Sequence, residues 1–479
     1  MTHRSDRNHR ARLLAVATAI ALTALAAPAS AGRVDTAGLK DDGLYGRFIV
    51  TYKPGSAALS SGAAMSASLA DAAARTTALG ADGRRPALRP LRRMLLPGAS
   101  VIAAERPLAR AAAAALMRQI AADPSVEYVQ IDGVQRSLAV PNDPNFSKQW
   151  HYADNAVGIR APSAWNGSTG VGTVVAVIDT GILANTDLNA NILPGYDFVA
   201  AANGFSAAEC GKSGLSAGCG ASDDGDGRDA NPLDSSNHGH GTHVAGTIGA
   251  VTNNGVGVAG VAYGAKVVPL RVLGRDGYGV DSDVIDALVW ASGGSVSGVP
   301  ANPNPAEVVN LSLGEPDAAC SAAFQQAINA AVGNGTTVVV AAGNSNNPAA
   351  NNSPAGCANV VTVAASNKQG TMASYSSYGA AIDVTAPGGE NGFFGPSATE
   401  GVISTIGGNR YGPMAGTSMA SPHVAGIAAL IQAASPTPKT PAQVERILKS
   451  TARPFAAGKC PNGCGAGLVD AAAAVAASK

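Results

Sequence analysis

From about residue 140 onward, short runs of β-branched residues alternate with alanine-rich stretches that have helical periodicity. Continuous apolar strands connected by helices are typical of a parallel sheet whose two faces are both covered. The expected strands are 173–178, 266–272, 308–313, 337–342, 360–364 and 381–385, and the expected helices are 281–291, 322–332, 418–434 and 441–451. We therefore predict an α/β fold, with a three-layer parallel-sheet domain over residues 140–479.

A smaller domain is expected before it. Residues 44–52 and 126–131 have strand character, and residues 108–122 have helical periodicity that ends at Asp123-Pro124. Together they indicate a small α+β domain, with a boundary near residues 137–142. The glycine-rich stretches 203–237 and 387–412 are interpreted as long surface loops, which are often functional.

The N-terminus has the pattern of an export signal. Four arginines between positions 4 and 12 precede an apolar run over 13–27, and small residues follow at Ala29-Ser30-Ala31. This order predicts a signal peptide at 1–31 and a secreted, extracellular protein; the alternative is an uncleaved membrane anchor. Lys and Arg together number 33, and Asp and Glu together also number 33, so the net charge is zero. The net charge therefore gives no reason to expect nucleic acid or an anionic membrane as a partner.

Six cysteines lie far downstream of this signal. An even number in an exported chain predicts three disulfides, for which 15 pairings are possible. We favour Cys210–Cys219 and Cys460–Cys464, because each pair brackets a short glycine-rich loop, which leaves Cys320–Cys357. A zinc site is disfavoured, since neither His nor a second Cys pair lies near Cys460 and Cys464.

Three segments carry residue types suited to nucleophilic catalysis. Asp179 follows a buried strand in VVAVIDTGI, His240 lies in NHGHGTHVAG, and Ser418 begins a helical stretch in GTSMASPHVAG. Taken singly, the aspartate could cap a turn and the serine could cap a helix. A zinc-protease site is disfavoured, because the histidine segment lacks the H-E-x-x-H pattern.

Taken together and in this order, D-T-G, H-G-T-H-V-A-G and G-T-S-M-A-S-P-H resemble the motifs of the subtilisin family. The resemblance implies a serine endopeptidase of broad specificity that acts on protein and peptide substrates. Ser418 would be the nucleophile, His240 the general base and Asp179 the residue that orients His240. Asn344, in VVVAAGN, would stabilise the oxyanion. His238 and His243 would be structural.

The resemblance also implies where substrate binds. An extended peptide would pair with two strand edges, and small residues would line a pocket for a large apolar side chain. The edges would include Gly277, Gly279, Ser312, Leu313 and Gly314, and the pocket would include Ala341, Ala342, Gly343 and Asn352.

A structural calcium ion is expected from the same resemblance. Its ligands would be Asp143, Asp187 and Asn254, with the carbonyl oxygens of Val256 and Val258. A second acidic loop, at 223–229, either holds another ion or is simply a solvated loop.

The family resemblance gives the first domain a role as well. Residues 32–139 would be a propeptide of ferredoxin-like fold that acts as an intramolecular inhibitor, cut from the enzyme between Arg136 and Pro141. The mature enzyme is expected to be monomeric. The alternatives are a maturation protease with few targets, a peptide ligase on the same scaffold, and a catalytically inactive binding module.

Overall fold

A computed structural model describes residues 31–39, 43–77, 84–133, 140–211, 214–390 and 400–479. The predicted signal peptide, apart from Ala31, and most of the predicted propeptide cleavage region lie outside these residues. The chain divides into two compact units, 1–137 and 138–479. None of the helices in the described ranges combines the length and apolar character needed to cross a membrane.

The first unit contains a five-stranded sheet of order β1-β5-β2-β4-β3. Its strands are β1 Arg33–Val34, β2 Leu44–Tyr52, β3 Leu88–Arg93, β4 Ala99–Ala109 and β5 Val126–Ile131, and its helices are α1 Ala57–Ser60, α2 Gly62–Arg75 and α3 Arg110–Ala121. From β2 onward, leaving aside the short α1, the elements follow the order β-α-β-β-α-β of a ferredoxin-like fold. The strand pair β3 and β4 and helix α2 were not anticipated from the sequence.

The second unit is built on a seven-stranded sheet of order β12-β11-β10-β9-β6-β8-β7, in which all pairs are parallel. Its strands are β6 Val174–Asp179, β7 Tyr196–Asp197, β8 Lys266–Arg271, β9 Val308–Leu311, β10 Thr337–Ala341, β11 Val361–Ser366 and β12 Val384–Pro387. The predicted α/β architecture is therefore present: the ends of the six predicted strands are displaced by a few residues at most, and the short edge strand β7 was not predicted.

Helices cover both faces of this sheet. The helices of the second unit are α4 Ala161–Ala164, α5 Ala207–Gly211, α6 His240–Gly249, α7 Asp281–Ala291, α8 Ala322–Gly333, α9 Thr417–Ala434, α10 Pro441–Thr451 and α11 Ala471–Ala477. Alternate residues of β6 face opposite layers: Val175 and Val177 pack in the core that contains α6 and α9, whereas Ala176 and Ile178 pack in the core that contains α7 and α8. This burial on both sides is why the strands contain unbroken apolar runs.

The prediction of a surface loop at 387–412 was wrong in its last third. Residues Val402–Ile406 and Arg410–Met414 form an antiparallel hairpin, β13 and β14, and Val402 to Thr405 are buried. Two of the glycines in this stretch, Gly407 and Gly408, lie in the turn of the hairpin, where Gly408 and Asn409 have positive φ angles of 70° and 57°.

Candidate active site

The carboxyl end of β6 meets the N-terminus of α6 at a short hydrogen bond. Asp179 is fully buried, and its Oδ1 lies 2.7 Å from His240 Nδ1 and also accepts the Thr180 backbone N–H at 2.7 Å. The imidazole side chain of His240 is 14% exposed. A buried carboxylate on Nδ1 leaves Nε2 as the ring nitrogen that is able to accept a proton.

The charges around His240 favour its protonated form. Burial alone would lower the pKa of His240, but the charge of Asp179, the hydrogen bond to it and the charge of Asp234 together raise that pKa above its ordinary value. A base whose pKa is raised in this way takes a proton more readily.

Two glycines allow these segments to approach each other. Gly181 has a φ angle of 96°, and a Cβ on it would lie 2.5 Å from the Pro232 carbonyl oxygen. A Cβ on Gly241 would lie 2.3 Å from the Gly181 carbonyl oxygen and 3.2 Å from Asp179 Oδ1. Any larger residue at position 241 would push the helix of His240 away from Asp179.

Ser418 lies in the first turn of α9, and its side chain is buried. Its hydroxyl donates to the Ser312 carbonyl oxygen at 3.1 Å, and no hydrogen bond joins it to His240 among the described contacts. The Ser312 hydroxyl in turn donates to the Ser418 carbonyl oxygen at 2.8 Å. In this resting arrangement the serine is held by β9 and the loop that follows it.

Asn344 is oriented by the residue before Ser418. Its Oδ1 accepts from the Thr417 backbone N–H at 2.8 Å and from the Thr417 hydroxyl at 2.9 Å, so its Nδ2 is the group left to donate elsewhere. Asn344, Thr417 and Ser418 line one cavity of about 350 Å³. Because α9 begins at Thr417, the Ser418 N–H is also among the helix N–H groups without an intrahelical acceptor.

The predicted substrate residues divide between two cavities. The cavity with Ser418 is also lined by Leu313, Gly314, Ala341, Gly343 and Asn352. A second cavity, of about 870 Å³, is lined by His240, Gly277, Gly279, Ser312, Leu313 and Gly314, among others. Ala342 is fully buried and lines neither cavity; its carbonyl oxygen accepts from Asn352 Nδ2 at 2.9 Å.

The other two histidines of the motif differ in their surroundings. His243 is buried and lies with Nε2 2.9 Å from the Val402 carbonyl oxygen; burial, with the nearby His240, lowers its pKa to about 3. It packs α6 against β13 and lines neither cavity. His238 instead lines the larger cavity beside His240, with a distance of 6.1 Å between the two ring centroids.

The predicted calcium ligands lie together away from these cavities. Asp187 is fully buried; Asn254 Nδ2 lies 2.7 Å from its Oδ1, and the Val258 N–H donates to its Oδ2 at 2.9 Å. Asp143 accepts the backbone N–H groups of Asn253 and Asn254 at 3.0 and 3.3 Å. Val256, in the same loop, donates its N–H to Asn254 Oδ1 at 2.8 Å.

The acidic loop 223–229 is largely engaged with arginines. Asp224 pairs with the fully buried Arg271 at 2.9 Å, and Asp223 pairs with Arg275. Arg228 of the same loop pairs with Asp283 and Asp286, both at 2.7 Å. Two of the four aspartates in the loop are therefore paired with arginines from outside it.

The structure contains disulfides Cys210–Cys219, Cys320–Cys357 and Cys460–Cys464, which are the three pairs that the sequence favours. The first lies directly before two residues that pair with the backbone of Arg275: the Gly220 N–H donates to the Arg275 carbonyl oxygen, and the Arg275 N–H donates to the Ala221 carbonyl oxygen, both at 2.8 Å. These two residues therefore support the segment that leads to Gly277.

One residue of the site had no place in the sequence analysis. Asp234 is buried six residues before His240 and accepts hydrogen bonds from the segments of both Asp179 and His240. Its position in a loop of Asp, Ser and Asn gave no signal that separated it from an ordinary turn residue.

Comparisons with known proteins identify the family of the chain. The model of the subtilase family matches residues 170–467. An extracellular protease from Xanthomonas campestris pv. campestris is 50% identical over 468 residues, which cover 96% of this chain and 78% of that protein. An extracellular basic protease from Dichelobacter nodosus is 43% identical over 391 residues, which cover 75% of this chain and 60% of that protein.

A solved protease structure from Pseudoalteromonas arctica is 50% identical, has a TM-score of 0.62, and aligns over 71% of this chain and 100% of that one. The family model thus covers more than half of the chain, and the Xanthomonas protein is half identical along nearly all of it. This chain belongs to the subtilase family and is a subtilisin-like serine endopeptidase.

Proposed function

We propose that the chain is a secreted, calcium-stabilised endopeptidase of broad specificity, made as a zymogen, which cleaves peptide bonds through Asp179, His240 and Ser418. The observation that carries the proposal is the 2.7 Å contact between Asp179 Oδ1 and His240 Nδ1. His240 lines the larger cavity and Ser418 and Asn344 line the smaller one, and Leu313 and Gly314 line both. Export is supported by the relatives, which are named extracellular proteases.

The chemistry follows from these positions. The Ser418 hydroxyl turns from the Ser312 carbonyl oxygen to His240 Nε2, transfers its proton there, and forms a bond from Oγ to the substrate carbonyl carbon. His240 then protonates the departing amine as the C–N bond breaks, which leaves an acyl-enzyme. Water hydrolyses that ester by the same proton transfers, and Ser418 recovers its proton.

Negative charge develops on the substrate carbonyl oxygen during both steps. The Asn344 Nδ2 and the Ser418 N–H would donate to it, and both lie at the start of α9, where the helix dipole is positive. Because Thr417 fixes Asn344 through Oδ1, the donor is oriented before substrate arrives. This preorganisation is what makes such a donor effective.

Substrate would bind as an added strand between residues 277–279 and 312–314. Backbone pairing of this kind gives affinity with little demand on sequence, which supports broad specificity. A maturation protease with few targets is the alternative. The two differ in how many bonds of an unstructured protein are cut.

The residues near Asp187 suit a calcium ion. Asp143 and Asp187 are both buried, and no Lys or Arg of the described ranges pairs with either. Burial, with a contribution from the charge of Asp143, raises the pKa of Asp187 to about 6, and the buried Tyr411 hydroxyl nearby has no partner. No group of three or more His, Cys, Asp or Glu suited to a metal is found among the described residues, so backbone carbonyls would supply the other ligands.

Residues 1–31 would be the signal peptide, 32–139 the inhibitory propeptide and 140–479 the protease domain. The division of the chain into compact units 1–137 and 138–479 supports this assignment. The ferredoxin-like order of elements in the first unit supports it too. The mature enzyme would act as a monomer.

The function is tested by incubating the purified, processed protein with casein and with a serine-directed phosphonylating reagent. We expect many casein fragments, complete inhibition by the reagent, and a phosphonyl adduct on the tryptic peptide that contains Ser418. If casein stays intact while one or a few defined peptides are cut, the maturation protease is the correct reading. A folded, processed protein that cuts nothing and takes no label would contradict both.

The calcium site predicts a loss of thermal stability when calcium is removed. At a calcium concentration 100 times its dissociation constant, binding to one native site stabilises the fold by about 2.7 kcal/mol. Chelation should therefore shorten the half-life at elevated temperature, and added calcium should restore it. Asp187→Asn should be insensitive to calcium, whereas Asp154→Asn, which changes an exposed carboxylate, should respond like the wild type. An equal half-life with and without chelator would exclude a stabilising calcium ion.

A further inference from the structure

Asp234 lies between the two segments that carry Asp179 and His240. Its side chain is 1% exposed and accepts four hydrogen bonds, two on each oxygen. The donors to Oδ1 are the His238 N–H and the Ser236 hydroxyl, both at 3.0 Å; the donors to Oδ2 are the Gly239 N–H at 2.7 Å and the Thr180 hydroxyl at 3.1 Å. A side chain that only accepts behaves as an ionised carboxylate.

Thr180 completes a continuous connection through this carboxylate. Its backbone N–H donates to Asp179 Oδ1, its hydroxyl donates to Asp234, and the same hydroxyl accepts the Gly241 N–H at 3.0 Å. The turn after Asp179 and the first turn of α6 are therefore fixed to the same two side chains. A displacement of either turn would break several of these bonds at once.

The charge of Asp234 is not neutralised nearby. No Lys or Arg in the described part of the chain pairs with it. The ionisable groups that act on His240 or respond to its charge are Asp179, Asp234, His238 and His243. Burial, with a contribution from the charge on His240, lowers the pKa of both His238 and His243, which disfavours a positive charge on either ring. The two carboxylates are then the charges that oppose the imidazolium.

We propose that Asp234 is a positioning residue for the proposed general base: it fixes the two turns that bring His240 to Asp179, and it adds a second negative charge beside the imidazolium that forms during catalysis. The inference rests on the proposed role of His240. A buried carboxylate in a loop outside the three sequence motifs would thus contribute both to the position of His240 and to its affinity for a proton.

The test compares Asp234→Asn with the wild type in kcat and KM for a chromogenic peptide between pH 5 and pH 10. Asparagine keeps the size of the side chain but removes its charge. Neutral His240 is the active base, so activity is lost as pH falls through its pKa. Without the charge of Asp234 the pKa of His240 is lower. The fall of kcat/KM on the acid side of its pH profile, the acid limb, should therefore move to lower pH. We expect kcat to fall about tenfold, equivalent to about 1.4 kcal/mol of transition-state stabilisation, with KM little changed.

Asp154→Asn is the matched control, because it removes the same charge from an exposed position. It should leave both kcat and the acid limb unchanged. The inference is overturned if Asp234→Asn keeps the wild-type acid limb and kcat, or if Asp154→Asn moves the limb equally. An inactive but folded wild type would instead contradict the proposed function.

Thr180→Val provides a second test should Asp234→Asn fail to fold. Valine keeps the shape of threonine and both carboxylates, but it removes the hydroxyl that joins Asp234 to Gly241. We expect kcat to fall severalfold while the acid limb stays at its wild-type pH. An unchanged kcat in Thr180→Val would show that the connection does not position His240.

Discussion

Replacing Ser418 by alanine is expected to reduce kcat by about 10⁶. This is the figure measured for loss of the nucleophile in subtilisin, a member of the same family, and we adopt it here. Without Oγ no acyl-enzyme forms, and the rate that remains comes from substrate binding and the oxyanion donors. The measurement is kcat for a chromogenic peptide, together with the size of the secreted chain on a denaturing gel.

The same variant tests the zymogen proposal. If the chain cuts its own propeptide, Ser418→Ala should accumulate as an uncut precursor, while wild type is trimmed near residues 136–141. Ser450→Ala, on the exposed surface of α10, should behave like the wild type in both assays. A trimmed Ser418→Ala chain would mean that another protease performs the cut, and an active one would remove Ser418 from the mechanism.

Asp179→Asn is expected to reduce kcat by about 10⁴, as the corresponding change does in chymotrypsin-like serine proteases. In the wild type, Asp179 Oδ1 accepts a hydrogen bond from His240 Nδ1. This bond fixes the imidazole tautomer in which Nε2 carries no hydrogen. An asparagine that presents its amide N–H₂ to Nδ1 would favour the opposite tautomer, whose Nε2 carries a hydrogen and is unable to accept the serine proton. The fold should survive, because asparagine has nearly the same size.

Asp154→Asn again serves as the control for a loss of one negative charge. Circular dichroism and thermal unfolding should confirm that Asp179→Asn is folded before its kinetics are compared. A decrease of less than about tenfold would contradict the assignment of Asp179, because structural aspartates near a site have effects of that size. The decrease in kcat for Asp234→Asn should lie between the decreases for Asp179→Asn and Asp154→Asn.

The parallel sheet was predictable because its strands are buried on both faces. Val174–Asp179 and Thr337–Ala341 consist almost wholly of apolar residues, and each run is flanked by glycine, proline or polar residues. The length and type of these two elements therefore follow from composition alone. The hairpin Val402–Ile406 and Arg410–Met414 was missed. Its glycines and its threonine and serine are typical of a loop, and its burial depends on packing against α6.

Among the candidate site residues, the sequence pointed to those in dense motifs and not to the isolated ones. Asp179, His240 and Ser418 each lie in a segment whose glycines and small residues mark a tight turn at the end of a strand or the start of a helix. Asp234 lies in an ordinary polar loop. Its proposed role depends on a hydrogen bond from Thr180, 54 residues earlier in the chain, which local sequence does not encode.

The sequence by itself determined the fold class, the three motifs that resemble those of the subtilisin family and the favoured pairing of the cysteines, because each depends on residue types close together in the chain or on short spacings. Tertiary structure alone decided that Ser418 rests on the Ser312 carbonyl, that Ala342 is withdrawn from the cleft, and that Asp234 connects the turns of Asp179 and His240. These are contacts between segments tens to more than a hundred residues apart. They form only when the sheet and helices pack, since their distances depend on the three-dimensional arrangement of the whole core.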